Sequence, residues 1–253
     1  MHQPLYKFLG GGKPELKILT TVSVKAVAEM VEDAQLFVAQ GFETLKIKVG
    51  LNPAEDIQRL KAIREAVGDS ISILSDANQG WDAKSALQII DSLAAQNLGI
   101  AMVEQPVKAW DYANLKYVRD NSRIPIYADE SAFNLRDVSK IIQAQMADGI
   151  NIKLMKSAGL YAARPIYDLA TSHNLPCMAG CMLESPIGLA AMAAFVVGKS
   201  NIKFVDLDPI AMIKSNPVIG GVRLDGATLH LSTGAGLGIE NIQGLIPVVT
   251  IGA

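Results

Sequence analysis

The stretch from residue 70 to residue 131 decides the fold. It contains the segments SISILSDAN (70–78), GIAMVEQPV (99–107) and PIYADES (125–131). Each segment is a short apolar run followed by an acidic residue, namely Asp76, Glu104 and Asp129, and these acids are 28 and 25 residues apart. This spacing is typical of a repeating strand–helix unit. The pattern therefore predicts three successive parallel strands, each with a carboxylate at its carboxyl end.

Eight segments of this kind recur along the chain. The predicted strands occupy residues 16–24, 44–50, 70–78, 99–107, 125–131, 149–157, 175–182 and 201–208. Amphipathic segments lie between them, such as residues 53–67, with Asn52 as a start signal and Gly68 as a stop signal. Eight alternating strands and helices predict an α/β fold, a (β/α)8 barrel of the TIM type. A doubly wound open sheet is the alternative fold, and it is less favoured because no glycine-rich phosphate loop follows the first strand.

Composition sets the broad class of the protein. The chain has 253 residues, 50% hydrophobic and 19% charged, which suits one large domain. A net charge of -2 gives no electrostatic case for a nucleic-acid partner or an anionic membrane. The apolar stretches are too short or too interrupted for a membrane span, and the first residues lack the pattern of a secretion signal. We therefore expect a cytoplasmic protein.

The two cysteines, Cys177 and Cys181, are four residues apart. A disulfide between them would close a very small loop on a predicted strand, which is an awkward geometry. A zinc site would need further soft ligands near the pair, and the three histidines show no matching spacing. We expect both cysteines to be reduced thiols at or near a strand end.

The second predicted strand, TLKIKVG (44–50), carries two lysines. Its apolar residues alternate with Lys46 and Lys48, so the apolar set faces the helices and both lysines face the barrel interior. An unpaired ammonium is costly in such a place, so both lysines need partners. Active sites of these barrels lie at the carboxyl ends of the strands.

Asp76, Glu104 and Asp129 end three adjacent predicted strands, so their carboxylates can share one ion. All-oxygen ligands favour Mg²⁺, with Mn²⁺ as a substitute. The alternative is a purely structural one, in which each carboxylate pairs with a lysine or an arginine. The sequence thus predicts one divalent cation at this edge of the barrel.

Lys48 and Lys153 end the second and sixth predicted strands, which lie opposite each other in an eight-stranded barrel. Two bases on opposite faces of one carbon can remove a proton from one face and return it to the other. A lysine must be neutral to act as a base, and we expect burial, Lys46 and the cation to lower its pKa. The alternative is an aldolase that forms a Schiff base through one of these lysines.

Asp206 and Asp208 in the last predicted strand have the same parity, so both side chains are expected to point the same way. They would form a negative site opposite the cation. A substrate with a carboxylate on the cation and a free α-ammonium one dipeptide length away would suit this arrangement. A second metal site or a cap at the strand end is the alternative, since aspartate favours turns.

Together these segments resemble a known family. KIKVG, SDAN, EQP, ADES and NIKLMKSAG, in this order, are similar to the enolase superfamily and its muconate lactonizing subgroup. The two aspartates after the last strand and the segment GCMLES resemble the dipeptide epimerases of that subgroup. The resemblance covers residues 16–240, and it implies a modified (β/α)7β barrel.

The resemblance also implies roles for the site residues. The bases are Lys48 and Lys153, the Mg²⁺ ligands are Asp76, Glu104 and Asp129, the substrate contacts are Asp206, Asp208, Cys181 and Met182, and the supporting residues are Lys46, Asn78 and Glu130. The implied reaction is epimerisation of a dipeptide such as L-Ala-D/L-Glu, by proton transfer through a metal-stabilised enediolate, in murein peptide metabolism. Other enzymes of the subgroup stay open, namely a cycloisomerase, an N-acylamino acid racemase or an o-succinylbenzoate synthase.

The family normally carries an N-terminal capping domain, and this sequence resembles the barrel part alone. We expect residues 1–15 to be the tail of that domain, residues 16–240 the catalytic barrel and residues 241–253 a C-terminal tail. Three alternatives are open: the sequence is a fragment of a longer protein, another chain supplies the cap in trans, or the barrel stands alone. We expect weak or no epimerase activity from the isolated barrel, and an inactive metal-binding fragment also stays open. Barrels of this type often associate, so a homo-oligomer stays open.

Overall fold

A parallel barrel forms the body of the protein in this computed structural model, which describes residues 2–244. A short strand, β1 (Glu15–Lys17), precedes it. The barrel strands are β2 (Thr20–Val22), β3 (Thr44–Lys48), β4 (Ser72–Asp76), β5 (Ile100–Glu104), β6 (Ile126–Ala128), β7 (Gly149–Lys153), β8 (Cys177–Gly180) and β9 (Ile202–Val205). They are parallel and adjacent in chain order, which confirms the predicted (β/α)8 architecture.

Helices connect successive barrel strands on the outside. The longer ones are α2 (Val27–Ala39), α3 (Pro53–Val67), α4 (Ala83–Ala95), α5 (Tyr112–Asn121), α6 (Leu135–Ala144), α8 (Leu160–Ser172) and α9 (Pro186–Val196). The short ones are α1 (Leu5–Phe8), α7 (Leu154–Ser157) and α10 (Pro209–Met212). Seven long helices follow the first seven barrel strands, and four-residue α10 follows the eighth. This is the (β/α)7β arrangement.

The predicted start and stop signals of α3 are confirmed. The side chain of Asn52 accepts hydrogen bonds from the backbone N–H groups of Ala54 and Glu55, which caps the first turn. Gly68 ends the helix with a positive φ of 76°, a conformation that glycine adopts at little cost. Local sequence signals therefore set both ends of this helix.

The core has two layers. Outward-facing strand residues such as Leu45 and Ile47 are fully buried against the helices, as the alternation predicts. Inside the barrel, a separate apolar cluster consists of Leu19, Leu74, Met102, Tyr127 and Met178. The inward-facing polar residues Lys46 and Asn151 lie at mid-strand in β3 and β7, in register with Leu74 and Met178 of this cluster, and the acidic residues lie at the carboxyl ends of the strands.

The first and last barrel strands meet at a seam. The N–H of Leu19 donates to the carbonyl oxygen of Val205 at 2.9 Å. Nearer the carboxyl ends, the N–H of Thr21 donates to Asp208 Oδ2 at 2.7 Å. A backbone bond and a side-chain bond thus join the two strands and close the barrel.

Two small antiparallel sheets lie beside the barrel and were not anticipated. One has the order β1, β12 (Thr228–Leu231), β11 (Val222–Asp225), and the other pairs β10 (Val218–Gly220) with β13 (Ile239–Ile242). The single strand predicted over 16–24 is therefore wrong. Residues 15–17 pair with β12, and residues 20–22 join the barrel. Between these two segments, the N–H of Ile18 donates to the carbonyl oxygen of Ala227, which keeps this part of the chain with the small sheet.

The predicted boundaries 1–15, 16–240 and 241–253 stay predictions. The last boundary falls within β13, and residues 245–253 of the predicted tail, like Met1, lie outside the described residues. Within residues 2–244, every helix is too short or too polar to cross a membrane.

Candidate active site

The three predicted ligand carboxylates lie at neighbouring strand ends. Asp76 and Glu104 are the last residues of β4 and β5 and are register partners, and Asp129 follows the last residue of β6. All three side chains are almost completely inaccessible to solvent. The three carboxylates therefore lie side by side along the barrel interior, at the ends of adjacent strands.

Lysines stand close to these carboxylates. Lys48 Nζ donates to Asp76 Oδ2 at 2.7 Å, and Lys153 Nζ donates to Asp129 Oδ2 at 2.6 Å. Across residues 2–244, no three His, Cys, Asp or Glu side chains are grouped as they would be around a metal ion. These pairings are the ones that the structural alternative anticipates, so the metal-ligand roles stay predictions.

Lys46 occupies the centre of the acidic cluster. Its Nζ donates to Asp206 Oδ2 and lies 3.6 Å from Asp76 Oδ2 and 3.7 Å from Glu104 Oε2. Burial alone would lower the pKa of Lys46, but the three carboxylates outweigh burial and hold that pKa well above its usual value. The three carboxylates therefore favour the charged form of Lys46 beneath the site.

Glu104 provides the test of whether these residues fit a cation. Burial and the nearby Asp76 carboxylate raise the pKa of Glu104 to about 8. Its Oε2 atom is buried without a hydrogen-bond partner. A hard divalent cation prefers carboxylate oxygens as ligands, and this unpartnered oxygen lies close to other carboxylates. The chemistry of these donors thus fits Mg²⁺ or Mn²⁺, although within residues 2–244 the three carboxylates are not gathered around one point.

The side of the site formed by β3, β4 and their following loops is called the Lys48 wall. Lys48 Nζ donates to Asn78 Oδ1 at 2.6 Å, and Asn78 Nδ2 donates to Glu130 Oε1 at 3.2 Å. Burial, followed by the charge of Asp129, raises the pKa of Glu130. Asn78 and Glu130 therefore form a chain of contacts behind Lys48, where the resemblance places supporting residues.

The Lys48 wall is anchored from below by Asp56, which the sequence reasoning missed. Asp56 is fully buried in α3, and its Oδ2 accepts from the N–H of Gly50 at 2.9 Å and from Trp81 Nε1 at 3.0 Å. Its Oδ1 accepts from Arg59. Gly50 and Trp81 belong to the loops after β3 and β4, so one carboxylate ties both loops to α3. An aspartate inside an amphipathic helix gives no sequence signal of such a role.

The opposite side, formed by β6, β7 and α7, is called the Lys153 wall. Burial lowers the pKa of Lys153, but the carboxylates of Asp129 and Glu104 outweigh burial and raise it. The reason for the raised pKa is the short ion pair with Asp129, whose own pKa is held below its usual range by Lys156 and Lys153 against the effect of burial. The lowering expected from burial, Lys46 and the cation together stays a prediction.

Lys156 is a further site residue that the sequence reasoning missed. Its Nζ donates to Asp129 Oδ1 at 2.5 Å and to the carbonyl oxygens of Asp129 and Asn151, both at 2.7 Å. The strand predicted over 149–157 is wrong beyond Lys153, because residues 154–157 form α7. A helical turn directs Lys156 inward, whereas strand alternation would direct it outward.

Asp206 and Asp208 follow the last barrel strand, which ends earlier than the predicted range 201–208. Asp206 pairs with Lys46, and Asp208 caps the seam at Thr21. Burial, followed by the charge of Asp206, raises the pKa of Asp208 to about 6. The predicted negative patch is present, and its role in substrate binding stays a prediction.

Cys181 and Met182 lie in the loop after β8. Cys181 Sγ donates to the carbonyl oxygen of Asp206 at 3.1 Å, and Met182 is partly exposed. Cys177 and Cys181 are both free thiols, as predicted. Cys181 thus borders the acidic pair, and its contact with a substrate stays a prediction.

Comparison with known proteins places this barrel among characterised enzymes. The chain is 42% identical over 240 residues to the L-Ala-D/L-Glu epimerase of Clostridium acetobutylicum, covering 95% of this chain and 67% of that protein. The structure of the substrate-liganded L-Ala-D/L-Glu epimerase from Bacillus subtilis matches with a TM-score of 0.93 and 42% identity, covering 95% of this chain and 67% of that one.

A dipeptide epimerase from Enterococcus faecalis, complexed with Mg and the dipeptide L-Leu-L-Tyr, matches with a TM-score of 0.91 and 41% identity over 94% of this chain and 68% of that one. The chain thus spans about two thirds of the length of the curated relatives it matches. Residues 29–243 match the family described as enolase C-terminal domain-like. These matches confirm the resemblance seen in the sequence, and the chain belongs to the enolase C-terminal domain-like family.

Proposed function

We propose that this barrel belongs to an isomerase that epimerises dipeptides by moving one proton across an α-carbon with a divalent cation. One observation carries the proposal. Lys48 and Lys153 end strands on opposite sides of the barrel, and each donates to a carboxylate of the same buried cluster. A substrate carbon above that cluster would have an amine on either face.

Asp76, Glu104 and Asp129 would hold the cation. When bound, a divalent cation stabilises the negative charge that develops on a carboxylate as its α-proton leaves. The Mg in the Enterococcus faecalis complex supports this role.

The two lysines would exchange the proton. Lys153 must be neutral to accept it, so its ion pair with Asp129 has to loosen in the working state. Lys156 already holds Asp129 through Oδ1 and can keep that carboxylate in place when Lys153 moves. Lys48 would deliver or accept the proton on the other face.

Asp206 supports a substrate with a free ammonium. Its Oδ2 is taken by Lys46, and its Oδ1 is buried without a hydrogen-bond partner. A buried acceptor of this kind is costly unless a donor meets it. The α-ammonium of a dipeptide would supply that donor, whereas an N-acylated amino acid would bring no charge to it.

The mouth of the barrel has an apolar rim. Large exposed side chains follow several strand ends, namely Leu51, Trp110, Phe133, Met155, Leu183 and Met212. Exposed apolar surface around a cleft is typical of a site that another protein segment covers. We propose that a capping domain, in this or another chain, covers this rim during turnover.

Deuterium exchange tests the proposal. The chain is incubated in D₂O with Mg²⁺ and either L-Ala-L-Glu, L-Leu-L-Tyr or N-acetylated L-Ala-L-Glu, alone and with the segment of the Bacillus subtilis relative that this chain does not cover. We expect α-deuterium in the free dipeptides, detected by mass spectrometry, and none after chelation with EDTA.

Two outcomes would contradict the proposal. Exchange into the acetylated substrate but not the free dipeptide would indicate an N-acylamino acid racemase. Exchange into no substrate, even with the added segment, would indicate a barrel without this activity.

A further inference from the structure

Asn151 is a buried polar residue that the proposed mechanism does not use. It lies in β7 two residues before Lys153, so the two side chains share the inner face of the strand. Asn151 is completely inaccessible to solvent, and its Nδ2 donates to Glu104 Oε1 at 2.6 Å. The contact reaches from β7 to β5, across the intervening strand β6.

This contact differs from those of the other two proposed ligands. Asp76 Oδ2 and both carboxylate oxygens of Asp129 accept from lysine ammonium groups at 2.7 Å or less, and Asp76 Oδ1 accepts from the backbone N–H of Asn78. Glu104 is held by a neutral amide, and the closest ammonium, that of Lys46, stays 3.7 Å from Oε2. An amide orients a carboxylate without adding a positive charge that would repel a cation. The bond therefore leaves Oε2 in position and free to accept.

Gly180 gives the amide its space. It is the register partner of Lys153 on β8. A Cβ atom at this position would lie 2.6 Å from Asn151 Oδ1, 2.8 Å from Asn151 Nδ2 and 2.9 Å from Lys153 Cε. Such contacts would force the amide or the lysine to move. The glycine is required here by the side chains on β7, since its φ is not in the left-handed region.

We propose that Asn151, in the space left by Gly180, is a positioning residue for Glu104 and sets the affinity of the site for its divalent cation. The inference rests on the proposed function, because it assumes that Glu104 is a metal ligand. Hydrogen bonds from supporting residues to metal ligands are typically worth 10- to 100-fold in metal affinity. Asn151 acts through Glu104 and touches no substrate in this account.

The test is Mn²⁺ binding to the full chain, measured by titration calorimetry and electron paramagnetic resonance. We expect Asn151→Leu, which keeps the size of the side chain but lacks the donor, to weaken Mn²⁺ binding about 10- to 100-fold. The matched control is Ser75→Ala, which removes another buried polar group next to a proposed ligand without touching a carboxylate. It should bind Mn²⁺ within about twofold of the unaltered chain.

A double-mutant cycle separates positioning from general loosening of the structure. If Asn151 acts through Glu104, the variant Glu104→Gln/Asn151→Leu binds Mn²⁺ no more weakly than Glu104→Gln alone. If Asn151 only supports the fold, its full loss of affinity adds to that of Glu104→Gln. Additive losses would overturn the inference.

Gly180→Ala provides a second variant should Asn151→Leu fail to fold. It should weaken Mn²⁺ binding, whereas Gly12→Ala, which has open space around it and no positive φ, should not. Binding to both Asn151→Leu and Gly180→Ala within about threefold of the unaltered chain would overturn this inference alone. Absence of Mn²⁺ binding to the unaltered chain would overturn the proposed metal site, and the inference with it.

Discussion

The two walls of the site hold their lysines in different ways. On the Lys153 wall the lysine side chain is 7% exposed, and its carboxylate partner Asp129 is shared with Lys156. On the Lys48 wall the lysine side chain is 26% exposed, and it donates to Asn78 in the loop that Asp56 ties to α3 through Trp81. The lysine of one wall lies in a buried charge cluster, whereas the lysine of the other is partly exposed beside loops that the buried Asp56–Arg59 pair anchors.

Because of this difference, we expect substitutions on the two walls to have effects on the free energy of unfolding that differ from their effects on the reaction. Breaking a buried pair leaves an uncompensated charge in the interior, which costs several kcal/mol. Loss of the partly exposed Lys48 should cost less, because its buried partner Asp76 still has the ammonium of Lys46 at 3.6 Å. The two proposed bases should therefore matter equally for the reaction, while the residues beside them should matter unequally for folding.

The largest effect is expected from removing either base. Lys48→Met and Lys153→Met should each reduce epimerisation by about 1,000-fold, the range of a lost acid–base group. Each variant should still exchange the α-proton of one epimer of the dipeptide, and not the same epimer. Chiral chromatography and α-deuterium incorporation measure both quantities. Retained exchange from the same epimer in both variants would show that the lysines do not face opposite sides of the substrate.

The next effect concerns the pair beside Lys153. Lys156→Met removes three hydrogen bonds from a side chain that is 1% exposed and should lower the free energy of unfolding by about 3 kcal/mol. Lys48→Met is the matched control and should cost less than about 1 kcal/mol. Urea denaturation followed by circular dichroism provides both values. Equal losses would remove the proposed difference between the walls.

A smaller loss of stability is expected on the Lys48 wall. Asp56→Asn keeps the shape of the side chain but turns one acceptor oxygen into a donor that faces existing donors. We expect a loss of about 2 kcal/mol, the cost of leaving a buried donor unpaired. Trp81 is buried and should show a shifted fluorescence emission. An unchanged urea midpoint would mean that the loops do not depend on this carboxylate.

The smallest effect is on thiol reactivity beside the Lys153 wall. Burial raises the pKa of Cys177 to about 12, and burial with the charges of Asp206 and Asp208 raises that of Cys181. Because the thiolate is the reactive form, a raised pKa keeps both thiols unreactive at pH 8. Mass spectrometry after iodoacetamide treatment should show little labelling of folded protein and full labelling in urea. Rapid labelling of folded protein at pH 8 would contradict this.

The barrel could be predicted because its signals are local and repeated. Alternation in TLKIKVG put Leu45 and Ile47 outside, and the acidic residue after each apolar run located the strand ends. Lysine–carboxylate pairing could be anticipated, but which lysine pairs with which carboxylate could not, because that depends on which charges meet in space. Lys156 shows the reason most clearly, since its direction changes when the strand becomes α7 after Lys153.

The seam carries a consequence for how this barrel can change its specificity. Asp208, a proposed substrate contact, also holds the first strand to the last through the N–H of Thr21. A substitution of Asp208 that changed substrate binding would also remove the hydrogen bond from the N–H of Thr21 and weaken the contact between the first and last strands. We therefore expect Asp208 to be kept when substrate specificity changes in evolution. Substitutions that alter specificity should occur first in the loops after β8 and β3, where they do not weaken the closure of the barrel.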